Sequence, residues 1–100
     1  MESADIVIRQ NDFLRQFESD IKDQLIAIEY SDNERNLFLS KVKFAQEVHD
    51  EVIVDLFIKA VLDHLKEKEM TIVPTSPFVK KFIKRNKLRY KKMLPVGMAI

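Results

Sequence analysis

The segment from Val48 to Pro77, VHDEVIVDLFIKAVLDHLKEKEMTIVPTSP, contains a change of period that decides the fold. Its apolar residues first recur in helical steps: Val48, Val52, Leu56 and Ala60, with Ile53, Phe57, Val61 and Leu65 beside them. That spacing gives a helix over Val48–Glu69 with one apolar face. Asp50 and Glu51 fall in its first turns and Lys66 and Lys68 in its last, which suits the helix dipole. A β-type run, Met70-Thr71-Ile72-Val73, follows with almost no loop, and Pro74 ends it because proline cannot donate to a ladder. A strand that follows a helix in this way returns parallel to the strand before the helix.

Upstream the period is two. Ile6 to Arg9 is a short strand-like run and Asn11-Asp12 a turn. Phe13 to Glu18 reads as a second strand, with Phe13, Arg15 and Phe17 on one face. Asp20 to Asp23 reads as a turn and Gln24 to Tyr30 as a third strand. Ser31 to Glu34 is a further turn signal. Asn36 to Phe44 forms a fourth strand, with Phe38, Ser40, Val42 and Phe44 opposing Leu37, Leu39, Lys41 and Lys43. Strands joined by such short turns form an antiparallel meander.

Downstream, Thr75-Ser76-Pro77 reads as a helix start, with serine at the N-cap and proline at the first helical position. Phe78, Val79, Phe82 and Ile83 continue as an apolar stripe, and Asn86 stops it. Leu88 to Leu94 is a further short strand or helix whose core candidates are Tyr90, Met93 and Leu94, and Pro95 to Ile100 is a loosely held tail. The fold class expected is α/β (α+β): a mixed, mainly antiparallel sheet with a long central helix and a short C-terminal helix.

One hundred residues suit one domain, 1–100. With 46% hydrophobic residues and a net charge of +1, the chain has the composition of a protein with a core. It has no cysteine, which excludes a disulfide framework, a thiolate metal site and a cysteine nucleophile. No signal peptide and no apolar run of membrane-spanning length are visible, so a cytoplasmic location and no membrane partner are expected. The small net charge hides an asymmetry: all 16 acidic residues lie between Glu2 and Glu69, and eight of the 17 basic residues lie between Lys80 and Lys92. That basic stretch is either a solvated face or a site for an anion. Phe78, Phe82 and Tyr90 interleave with it, but Phe78 and Phe82 stand four apart beside Val79 and Ile83, which favours a core stripe over base stacking, so nucleic acid is not the expected partner.

Few residues carry candidate chemistry. His49 stands where the helix begins, in reach of general-base work, whereas His64 lies at an amphipathic boundary and reads as a surface residue. Ser76 opens a helix between two prolines, as a cap or as a hydroxyl at the mouth of a cleft; no Gly-x-Ser-x-Gly surrounds it, so a serine-hydrolase elbow is excluded. No histidine or carboxylate spacing supports a metal site. The only glycine is Gly97, which excludes a Walker loop and a dinucleotide fingerprint. The start of the long helix still offers N–H groups and a positive dipole end, although Glu47, Asp50 and Glu51 put negative charge there.

Three stretches resemble the short, stand-alone GNAT-like acetyltransferases. They are Phe17-Glu18 with Leu25 to Tyr30, Phe57 to His64, and Thr71-Ile72-Val73-Pro74-Thr75-Ser76-Pro77-Phe78-Val79 with Ile83 to Asn86. The last is the most specific. The resemblance implies a cleft opened by a splay between the fourth and fifth strands. Acetyl-CoA or CoA would lie there, its pantetheine arm along Lys43-Phe44-Ala45 and its pyrophosphate at the helix start around Val52, Ile53 and Val54. Ser76 or His49 would assist proton transfer. Three positions depart from the family pattern: Val52 and Val54 stand about where the family has glycine, Lys41-Val42 replaces a histidine-threonine pair, and Ser76 replaces a cysteine. Two functions are therefore carried forward. One is an acetyltransferase moving acetyl from acetyl-CoA to an amine; the other is a non-catalytic binding or regulatory module, with a protein partner, that kept the scaffold and lost acetyl-CoA.

Overall fold

With one glycine in the chain, the sharp turns must run through residues that carry a Cβ. In the computed structural model, which describes residues 6–34, 36–44 and 50–98, they do so at positive φ. Lys22 (φ 52) and Asp23 (φ 63) form a two-residue hairpin turn whose twist matches its strands. Glu69 (φ 56) takes the left-handed position after the long helix, where glycine is the usual residue.

These turns connect β1 (Arg9–Asn11), β2 (Gln16–Ile21), β3 (Gln24–Asn33) and β4 (Asn36–Phe44) as an antiparallel meander. Then come α1 (Glu51–Glu67), β5 (Thr71–Pro74), α2 (Pro77–Arg85), α3 (Lys87–Tyr90) and a 3-10 turn over Lys91–Met93. The sheet order is β1-β2-β3-β4-β5, and β5 pairs with β4 in parallel, as a strand returning from a helix should. The α/β class expected from the sequence is the one observed.

Several boundaries differ from the sequence reading: the long helix runs from Glu51, after Asp50 as its extended N-cap, to Glu67, and β2 continues to Ile21, into the turn expected over Asp20 to Asp23. The first strand starts at Arg9 rather than Ile6, and the second at Gln16 rather than Phe13. Between them the Asn11 side chain accepts the Leu14 N–H at 2.9 Å, and Arg15 turns left-handed (φ 51), so residues 12–15 form a loop. Phe13 is consequently 94% exposed and shares no buried face with Phe17. The third strand runs on to Asn33, past the turn expected from Ser31. Leu88 to Leu94 is helical, with Tyr90 and Met93 in the core as expected.

One face of the sheet is apolar and carries the helices. Phe17, Ile28 and Val42 stand side by side across three strands, and Tyr30, Leu39 and Pro74 form the next row. From α1, Phe57, Ile58, Val61 and Leu62 are buried in the same core, and His64 meets the Phe17 ring edge-on at 6.2 Å. The C-terminal helices lock onto α1 through polar contacts. Tyr90 is buried, and its hydroxyl donates to Asp63 at 2.9 Å. Burial and that carboxylate push the Tyr90 pKa up to about 12. Arg85 grips Asp55 with two bonds of 2.9 and 3.0 Å.

Two stability outcomes follow from these contacts. Tyr90→Phe removes a hydrogen bond to a charged acceptor and should cost about 1.5–3 kcal/mol in urea unfolding; a change near zero would mean that the Asp63 contact is idle. Burial, aided by Lys68 and opposed by Glu67, lowers the His64 pKa below 6.5. The folded state then binds fewer protons than the unfolded one, so stability falls as pH drops from about 6.5 toward the folded value. His64→Gln should remove that slope in unfolding curves taken across the window.

Candidate functional site

The site begins where two strands stop pairing. The β4–β5 ladder runs from Asn36↔Thr71 to Leu39↔Pro74 and ends there, although β4 continues to Phe44. Pro74 has no N–H to extend it. The next two N–H groups, of Thr75 and Ser76, both donate to the Leu39 carbonyl at 3.0 Å, and the Thr75 hydroxyl adds a third bond at 3.1 Å. That convergence turns the chain away from β4. On the other side of β4, the pairing with β3 slips at the same point: Glu29 faces Lys41 but Tyr30 faces Leu39, so Ser40 is an extra residue. The strict alternation expected for this strand is thereby broken. Leu37 and Leu39 are buried before the bulge and Val42 after it, while Ser40 and Lys41 are both exposed. Among the described residues, no strand pairs with the outer edge of β4 over Ser40–Lys43.

Two of the expected ligand residues, Lys43 and Phe44, stand at the end of β4. Lys43 makes an ion pair with Glu29 at 3.1 Å. Phe44 meets the Phe78 ring at 5.9 Å, which joins the end of β4 to the start of α2. Ala45 and His49 lie outside the described residues. The long helix α1 begins at Glu51, capped by Asp50, whose carboxylate accepts the Val52 N–H at 2.8 Å. Val52 is exposed, whereas Ile53 and Val54 are buried. The first turn of α1 therefore already has a side-chain anion on its N–H groups.

Beside that turn lies an open groove of about 1030 Å³ between α1 and α2. Val54, Phe78 and Met98 give it an apolar floor; Glu51 stands on one wall and Lys80, Lys81 and Lys84 on the other. Asp55 is neutralised by Arg85. Among the described residues no ion pair engages the three lysines, so the groove has a positive rim. The sequence showed these lysines as a charge run but not that they face the helix start: that geometry depends on the Asp55–Arg85 contact, thirty residues apart in the chain.

Ser76 stands at the junction. It has the backbone of an N-cap (φ -75, ψ 134), but its side chain makes no capping bond. It is 1% exposed, and its hydroxyl has no hydrogen-bond partner among the described residues.

A mixed sheet whose fourth strand loses its parallel neighbour halfway, followed by a long helix that returns the chain to that sheet, is the architecture of a GNAT-like α/β protein. The chain matches the family described as GCN5-related N-acetyl-transferase over residues 16–93, and it belongs to that family. No curated protein and no solved structure matches it. No helix among the described residues is long and apolar enough to cross a membrane.

Ser76→Ala should raise stability by about 1 kcal/mol, because it removes a buried hydroxyl that lacks a hydrogen bond. A loss of that size in thermal unfolding would show that the hydroxyl is engaged in the folded protein.

Proposed function

We propose that the protein is an N-acetyltransferase that takes acetyl-CoA along the free edge of β4, with lysines instead of a glycine loop answering the phosphates. The observation that supports this reading is the Ser40–Lys43 edge, which no strand among the described residues pairs with, opened by the end of the ladder at Leu39 and Pro74. An extended amide-bearing arm can complete such an edge as a further strand would. The positive rim of Lys80, Lys81 and Lys84 lies near the helix start, where the phosphates of such a ligand would arrive. In the transfer an acceptor amine attacks the thioester carbonyl carbon, the C–S bond breaks, and CoA leaves as thiolate while the amine loses a proton. Ser76 and His49 are the groups proposed to handle that proton. Ser76 has an unmet hydrogen bond close to where the strands part. The cytoplasmic setting expected from the sequence belongs to the same proposal.

A second reading, a binding module that no longer holds acetyl-CoA, is favoured by the start of α1. The Asp50 carboxylate occupies the Val52 N–H there, and Val52 and Val54 add bulk where the family has glycine.

Calorimetric titration separates the two. The acetyltransferase reading expects saturable acetyl-CoA binding below about 1 mM. Asp50→Asn keeps a good N-cap while removing the charge, and should tighten that binding about threefold without loss of stability. No heat from either protein at that concentration would reject the acetyltransferase and leave the binding module.

A further inference from the structure

From Lys80 to Lys92 the chain carries eight basic residues and no acid, and the fold sorts them by type. The two arginines turn inward to α1, Arg85 onto Asp55 at 2.9 Å and Arg89 onto Asp63 at 3.4 Å. The six lysines are exposed, and among the described residues none of them has an ion-pair partner. They lie along one continuous surface. The groove holding Lys80, Lys81 and Lys84 meets a shallower basin holding Lys87, Lys91 and Lys92, and Met98 lines both.

Two bulky aliphatic residues of this C-terminal region are exposed. Leu88 is 92% exposed and lies one helical turn before Lys91 and Lys92; Val96 is fully exposed and lines the same basin as those lysines. The aromatic residues of the segment are withdrawn. Phe82 and Tyr90 are buried with their rings 5.7 Å apart, so neither is available to stack on a base. Phe78, on the groove floor, packs its ring against Phe44 at 5.9 Å, so a nucleic acid would be met mainly by charge and would gain nothing from Leu88 or Val96. An anionic phospholipid surface uses both parts: lysines gain attraction from its negative potential, and aliphatic tips enter the boundary between headgroups and acyl chains.

We propose that the face formed by α2, α3 and the following residues docks on the surface of an anionic bilayer, with Leu88 and Val96 as its inserted tips. The absence of a membrane-spanning helix does not bear on this, since the contact is peripheral. The proposal shares Lys80, Lys81 and Lys84 with the acetyl-CoA reading, and its test uses Leu88 and Val96, which do not line that groove.

The full chain is sedimented with vesicles of phosphatidylcholine alone or with about 30% phosphatidylserine, in about 50 mM and about 500 mM salt. Binding is expected only to the anionic vesicles and only in low salt. Leu88→Ser with Val96→Ser keeps every charge and changes two exposed side chains, so the fold should be intact by circular dichroism. Its partition should be weaker by about tenfold. Three results would overturn the proposal: no binding to anionic vesicles in low salt, equal binding by the double variant, or a mixed RNA and DNA pool displacing the protein from the vesicles at equal phosphate concentration.

Discussion

One carbonyl oxygen organises the functional end of this protein. Leu39 is the last residue of β4 to face β5, and its carbonyl receives the N–H groups of Thr75 and Ser76 and the hydroxyl of Thr75. The cause lies one residue earlier, at Pro74, which ends the ladder because it has no N–H to give. The extra residue at Ser40 reverses the facing of β4 at the same level. Without the first device β5 could follow β4 to its end; without the second, Val42 would point away from the core that now buries it.

The site inherits its form from that parting. Among the described residues no strand covers the edge of β4 over Ser40–Lys43, and α2 starts where the departing chain passes over Leu39. The Phe44–Phe78 contact then ties the end of β4 to α2, and the Arg85–Asp55 pair ties α2 to α1. The groove beside the start of α1 is thus a consequence of three contacts, each joining a different pair of elements. Its charge is unusual for a phosphate site built on a helix start. The N–H donors are partly answered by Asp50, and the positive charge comes from lysine side chains on the neighbouring helix.

Much of this was legible in the sequence, and the remainder was hidden for physical reasons. The change from period two to helical period gave α1 and the parallel return of β5, because both depend on local spacing. β4 was read at its observed limits, Asn36–Phe44, but its bulge was not: Leu-Phe-Leu-Ser-Lys-Val satisfies simple alternation, and only the pairing with β3 shows that Ser40 is extra. Phe13 was placed in a strand because it is apolar, whereas the Asn11 side chain holds its segment as a loop. Ser76 was read as a cap or a cleft hydroxyl; the backbone fits the cap, yet the side chain is buried without a bond. That distinction depends on packing, which a Ser-Pro pair does not encode. The candidate site was only half legible. Val52, Val54 and Phe44 were marked through the family resemblance, but the lysine wall required knowing that α2 folds back on α1.

The central claim is that the free edge of β4 is the ligand-binding element. Amide hydrogen exchange of the intact protein with and without saturating acetyl-CoA tests it most directly. Added protection on the amides of Ser40 to Lys43, with β1 and β2 unchanged, is the result the account predicts. Bound ligand that leaves those amides exchanging as before, or protects only β1 and β2, would contradict it.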